Sequence, residues 1–197
     1  MTAEKIVYII PGFKQRTSGK AYKEIAAILK SEGYHPILIT IPWKKTSISE
    51  NTAYFLKEYK KVLAKKEYIL GFSFGAMIAF LAATKVNTTG LILCSLSPYF
   101  QEDLEKMKKN PAAQITRRRY KDFSKLHCSS LAKRVKAGQI HMLYGAKEAK
   151  TLIKRVTETY GHLSSTDKYL IPIEKTTHDI GDKRYLTKIH QIAKIMN

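Results

Sequence analysis

Two apolar runs meet without a linker at Tyr68-Ile69-Leu70-Gly71-Phe72-Ser73-Phe74-Gly75-Ala76-Met77, and this junction limits the possible folds more than any other stretch. The first run, Glu67 to Leu70, has the length of a very short buried strand. The second, Ser73 to Ala83, has the length of a buried helix. A strand that becomes a helix over so few residues needs a tight turn with strained backbone angles at Ser73. Gly71 and Gly75 remove side chains that would collide as the helix folds back over the strand. Ser73 then projects above the sheet, with the N–H groups of the helix start beneath it. The plainer reading is a strand-to-helix turn with glycines and a capping serine.

The rest of the chain repeats this alternation. Lys5 to Ile10 is a strand stopped by Pro11-Gly12. Tyr22, Ile25, Ile28 and Leu29 lie at helical spacing. Pro36 to Ile41 reads as a second strand. Residues 49–65 read as a helix capped by Ser49, with Phe55, Tyr59, Val62 and Leu63 as its apolar stripe. Gly90 to Leu96, Gln139 to Tyr144 and Tyr169 to Ile173 follow as strands, and Pro172 places the last at a sheet edge. Leu152, Ile153, Val156 and Tyr160 mark one late helix; Leu186, Ile189, Ile192 and Ile195 mark the final one. Short apolar strands without strict alternation are expected when helices cover both faces of a sheet. The fold class is therefore α/β: a three-layer sandwich with about six mostly parallel strands. One domain over 1–197 is expected, with a basic helical insert at about 99–137. That stretch holds 11 Lys or Arg against four Asp or Glu, is broken by Pro111, and reads as a small lid or a solvated helical pair.

A chain of 197 residues, 44% hydrophobic and 26% charged, can bury one sizeable core. Twelve Tyr and seven Phe exclude a disordered tail protein. Cys94 lies in an apolar run and Cys128 has no nearby partner, so neither a disulfide scaffold nor metal-ligand spacing is indicated. No apolar run approaches the ~18 residues of a membrane helix. The opening MTAEKIVYIIPGF lacks a signal-peptide pattern, so no membrane insertion and a cytoplasmic location are expected. Asn87-Thr88-Thr89 matches a glycosylation sequon, without a secretory signal to give it meaning. The net charge is +19, from 35 basic and 16 acidic residues, which attracts polyanions. The lysines are scattered, and Arg117-Arg118-Arg119-Tyr120-Lys121 is the densest block. No zinc-finger spacing, recognition-helix pattern or single-strand aromatic motif accompanies them, so nucleic acid is not the expected partner.

A serine needs a base to become a nucleophile. Ligands bind at strand ends in open α/β sheets, which selects among the six histidines. His35 and His141 lie at or beside strand starts, His190 inside the final helix, His127 in the insert and His162 at the far end of a helix. His178, in the loop after the sixth strand, is the expected base. A carboxylate after the preceding strand would orient it. Glu148 is in place; Asp103 and Glu174 are its rivals. Asp179, beside the histidine, is expected to pin the loop or cap the last helix. Two N–H donors would face a developing oxyanion: Phe74, directly after Ser73, and Phe13, in the loop Pro11-Gly12-Phe13-Lys14.

With these residues assembled, the chain resembles the α/β-hydrolase superfamily, most closely its small members with little or no cap. The resemblance spans nearly the whole chain. It rests on Ile6-Val7-Tyr8-Ile9-Ile10-Pro11-Gly12-Phe13, the Gly71-Phe72-Ser73-Phe74-Gly75 elbow, Leu91 to Pro98, Tyr144-Gly145-Ala146-Lys147-Glu148 and Thr177-His178-Asp179. It implies cleavage of an ester, thioester or amide through an acyl-serine, without a cofactor. Two positions depart from the family pattern: Pro11-Gly12 stands where His-Gly is usual, and Glu148 where Asp is more frequent. Acyl transfer on the same scaffold, and a noncatalytic polyanion-binding or interaction protein, are the alternatives. The expected substrate is a small or medium acyl compound, with preference for negative charge because of the basic insert and Lys14. Oligomeric state is not legible from the sequence.

Overall fold

The computed structural model describes residues 4–62, 64–105 and 115–196. Six strands form one sheet: β1 (Lys5–Ile10), β2 (His35–Leu38), β3 (Lys66–Phe72), β4 (Thr88–Cys94), β5 (Ala137–Gly145) and β6 (Lys168–Ile173). Their order is β2-β1-β3-β4-β5-β6, and every neighbouring pair is parallel. The chain steps from β1 outward to β2, crosses back to β3, and then advances in one direction. The reversal lies between β1 and β3, where the loops after the two strands diverge and leave a crevice. Pro172 sits in β6 at the sheet edge, as its missing N–H requires.

Both sheet faces are apolar. Ile6, Tyr8 and Ile10 of β1 enter one core and Val7 and Ile9 the other, following the two-residue period of a strand. Helices α1 (Lys20–Ser31) and α7 (Lys183–Ile195) cover the second face with Tyr22, Ile25, Leu29, Tyr185, Ile189 and Ile192. Helices α2 (Ile48–Tyr59), α3 (Phe74–Ala83) and α6 (Lys150–His162) cover the first. Each large apolar side chain so buried contributes about 1.5–3 kcal/mol relative to exposure. Every residue of α3 from Gly75 to Ala83 is buried, as befits a helix apolar on all sides.

Several boundaries differ from the sequence expectation. β3 runs on through Gly71 and Phe72, because these residues still pair with Leu93 and Cys94. α2 starts one residue earlier than expected and is capped by Ser47, not Ser49. Ser47 and Glu50 form a reciprocal capping box, with Ser47 N–H donating to Glu50 Oε2 at 2.8 Å. α2 stops at Tyr59, whose carbonyl accepts a hydrogen bond from Tyr8 Oη at 3.1 Å. Leu63 lies outside the described residues.

The described residues of the insert from 115 onward form two short helices, α4 (Arg117–Phe123) and α5 (Cys128–Ala132). They are not a solvated pair. Phe100, Phe123, Leu126, Cys128 and Ala132 bury into the same core as α3, so the polar composition conceals an apolar inner side. Asp103 and Arg155 tie the insert to α6 through a two-pronged, nearly buried ion pair, with Arg155 Nη2 to Asp103 Oδ1 at 2.7 Å. Pro111 lies outside the described residues. Among those residues no helix is long and apolar enough to cross a membrane.

Candidate active site

Ser73 stands between β3 and α3 with φ 57° and ψ −117°, a left-handed backbone conformation that an L residue rarely adopts. The surroundings hold it there. Ser73 N–H donates to the Cys94 carbonyl at 2.9 Å, and its own carbonyl starts the helix. A Cβ on Gly75 would collide with the carbonyl oxygens of Ile10 and Pro11, and one on Gly71 with the carbonyl of Gly75. These glycines let α3 lie directly against the end of β1 and the loop that follows it.

His178 Nε2 lies 2.9 Å from Ser73 Oγ, and His178 Nδ1 lies 3.1 Å from Glu148 Oε1. The imidazole side chain is 42% exposed, while the Glu148 side chain is 0% exposed. The loop carrying His178 is stitched to the turn carrying Glu148 by Ala146 N–H to Ile173 O and Lys147 N–H to Thr176 O, both 2.9 Å. Gly145 permits this approach, since a Cβ there would strike the Thr176 and Thr177 carbonyls. Phe72 packs under the imidazole with ring centres 4.7 Å apart. Asp179 pins the loop through Gly181 N–H at 2.9 Å, and α7 is capped by Asp182 instead.

The rival acids are elsewhere. Asp103 is held by Arg155, and Glu174 is exposed. The other histidines are also apart from Ser73. His35 opens β2, His127 precedes α5, His162 ends α6, and His190 meets Glu32 at 2.6 Å. His141 is buried within β5 against Tyr169, and burial pushes its pKa down to about 4.

Phe74 occupies the first position of α3, where a backbone N–H has no intrahelical carbonyl to reach. Phe13 lies in the loop after β1, next to Gly12. The Gly12 N–H donates to Tyr22 Oη at 2.9 Å and to Gln15 Oε1 at 3.1 Å. Tyr22 Oη in turn donates to Gln15 Oε1. This cluster braces the loop that carries Pro11 and Gly12. Burial raises the Tyr22 hydroxyl pKa and keeps it a neutral donor.

Three further residues join the site that the sequence reading did not assign. Ser97 Oγ lies 3.0 Å from Ser73 Oγ. Ser95 Oγ donates to Glu148 Oε1 at 2.5 Å, and Tyr185 Oη reaches Ser95 Oγ at 2.6 Å. Ser95 has φ 52°, a second left-handed serine at a strand end. Burial drives the Tyr185 pKa well above its ordinary value, helped by Cys94 and the Glu148 charge. The remaining Glu148 oxygen, Oε2, is buried with no partner among the described residues. The visible signal was two serines interrupting the apolar run Leu91 to Leu96 and its continuation. Among the described residues, no group of three or more His, Cys, Asp or Glu is placed to hold a metal ion.

No family model matches the chain, and no curated protein matches it by sequence. Solved structures do match. A putative hydrolase from Agrobacterium vitis S4 superposes with TM-score 0.81 at 15% identity, covering 99% of this chain and 90% of that one. Est1E from Butyrivibrio proteoclasticus gives 0.79 at 13% identity, covering 98% and 87%. The esterase Pf2001 from Pyrococcus furiosus gives 0.73 at 15% identity, covering 98% and 82%. The chain has the α/β-hydrolase fold. Of these neighbours one is described as an esterase and one as a putative hydrolase, at identities that speak for the fold.

Proposed function

We propose that this protein is a serine hydrolase that cleaves an ester or related acyl bond of a small molecule through an acyl-serine intermediate. The observation that carries the reading is the hydrogen-bonded series from Ser73 Oγ through the His178 imidazole to the sealed Glu148 carboxylate. Serine, base and acid come from three different strand ends and meet with the geometry that proton transfer needs.

In this mechanism Ser73 attacks the acyl carbon while its proton passes to His178 Nε2. The carbonyl oxygen becomes an oxyanion and accepts hydrogen bonds from the Phe13 and Phe74 N–H groups. The bond to the leaving group breaks, and His178 returns the proton to the departing oxygen. Water then enters, gives its proton to the same nitrogen and attacks the acyl-serine, releasing the acid and regenerating the Ser73 hydroxyl. Glu148 accepts the Nδ1–H bond, which keeps Nε2 free as a base and stabilises the imidazolium. Ser95 Oγ donates to the same Glu148 oxygen and helps to fix the carboxylate. Thioesters and amides follow the same steps with a different leaving atom.

The test is labelling by a fluorophosphonate together with turnover of p-nitrophenyl acetate. Labelling at Ser73 and loss of both signals in Ser73→Ala support the reading. Undiminished turnover in Ser73→Ala overturns it.

A further inference from the structure

Beside the reacting groups lies a second, larger hollow of about 810 Å³, within the range of small-molecule sites. It adjoins the hollow of about 420 Å³ that contains Ser73, His178 and Glu148, and Phe13, Phe74 and Tyr99 belong to both. Its floor is a continuous series of rings. Trp43 meets Phe13 edge-on at 5.5 Å, Phe13 meets Phe74 at 5.3 Å, Phe74 meets Tyr99 at 4.8 Å and Tyr99 meets Phe123 at 5.4 Å. A flat apolar group gains more from such a surface than a flexible aliphatic one, because well-placed ring pairs attract beyond simple burial.

Among the described residues the charged side chains lining the hollow are of one sign: Lys14, Lys44, Lys45, Arg118 and Arg119, with no Asp or Glu. Arg118 is paired with Glu50. The Arg119 guanidinium lies 4.3 Å over the Phe13 ring and, among the described residues, donates to the carbonyls of Trp43 and Thr46. Lys14, Lys44 and Lys45 make no ion pair among the described residues. Unpaired like charges around an apolar floor repel one another, and an anion placed among them relieves that repulsion.

Direction follows from the chemistry. The leaving group must lie within reach of His178 Nε2, in the smaller hollow. The acyl group then extends past the Phe74 ring into the larger one.

We propose that this larger hollow is the acyl-binding site, and that it takes an arylalkanoyl group with an anionic substituent at its far end. Phe13, Phe74 and Trp43 enclose the ring, and Lys14, Lys44 and Lys45 receive the anion. The direction of the acyl group rests on the serine-hydrolase reading; the affinity for an aryl anion does not.

Trp43 is the single tryptophan of the chain, so its fluorescence reports the hollow directly. Ser73→Ala protein is titrated with methyl 3-(4-carboxyphenyl)propanoate and, separately, with uncharged methyl 3-phenylpropanoate. The carboxylated ester is expected to shift Trp43 emission and bind about tenfold tighter at low salt. That advantage shrinks at about 1 M salt, where the screening length falls to about 3 Å. It is also lost in Lys44→Ala/Lys45→Ala. Equal dissociation constants for the two esters, or no response of Trp43 to either, overturn the proposal. In wild type, the p-nitrophenyl ester of the carboxylated acid should show kcat/KM about tenfold above that of its uncharged counterpart, and equal values likewise overturn it. The p-nitrophenyl acetate and Ser73→Ala comparison separates the two ideas. Binding without serine-dependent turnover removes the hydrolase reading and with it the acyl direction. Serine-dependent turnover without Trp43 binding removes only the assignment of this hollow.

Discussion

At the strand ends Glu148 is sealed from solvent and divides one carboxylate oxygen between Ser95 and His178, whereas Lys14, Lys44 and Lys45 of the adjoining hollow stand in solvent without carboxylate partners among the described residues. The two regions share Phe13, Phe74 and Tyr99, yet they use charge in opposite ways. A buried carboxylate acts through fixed distances, because removing it from water is costly and only good hydrogen bonds offset that cost. Exposed lysines act through a summed field, which tolerates side-chain motion and weakens with salt. Damage to the first region should therefore appear as lost chemistry that no salt concentration restores. Damage to the second should appear as altered selectivity that salt mimics.

The largest effect should come from Ser73→Ala, which removes the proposed nucleophile without disturbing the core. A fall in kcat of about 10⁴-fold or more is expected, with thermal melting nearly unchanged. Glu148→Gln should come next, with kcat lower by about 10³-fold, since an amide can hold the imidazole in the wrong tautomer. Steady-state kinetics at low and high salt check both, and recovery of Glu148→Gln activity by salt would erase the contrast between the regions.

Asp103→Asn sharpens the comparison from another side. Asp103 is a buried acid too, but its partner is Arg155 and it sits away from His178. The substitution should destabilise the fold by about 3 kcal/mol, measured by denaturant unfolding, while kcat per folded molecule stays close to wild type. A larger loss of kcat than in Glu148→Gln would transfer the orienting role to Asp103. The smallest effect is expected from Ser95→Ala. It leaves Glu148 with His178 alone, and kcat should fall about tenfold with KM little changed. A change confined to stability would make Ser95 structural.

The alternation of elements was legible because burial on both sheet faces leaves apolar runs of strand and helix length. β1 and α3 illustrate it: every residue of Ile6–Ile10 and Gly75–Ala83 is buried, so little in those runs is ambiguous. Boundaries were less legible. The apolar run Pro36 to Ile41 outlasts β2, because Ile39 and Ile41 turn into the core after the ladder ends at Leu38. The Ser47–Glu50 box was written in the sequence as Ser-x-x-Glu, but Ser49 offered a competing cap two residues away. The insert misled by composition, since a lysine-rich stretch can still send Phe100, Phe123 and Leu126 inward.

The residues that local chemistry demands could be named from the chain alone. A strand-to-helix turn with Gly71 and Gly75 around a serine has few other uses, and parallel strands end on one side, which singled out His178 and the turn of Glu148. What only the folded chain decided are the contacts between residues far apart in sequence. Ser95 and Tyr185 are 90 positions apart and meet at 2.6 Å; Asp103 and Arg155 are 52 apart and remove a rival acid from the site. No periodicity encodes such pairs, because each depends on how strand register and helix packing add up across the whole sheet. The aromatic floor has the same origin. Phe13, Trp43, Phe74, Tyr99 and Phe123 belong to five separate segments, and they become one surface only because the loops after β1, β2 and β4, the start of α3 and helix α4 converge over the same end of the sheet.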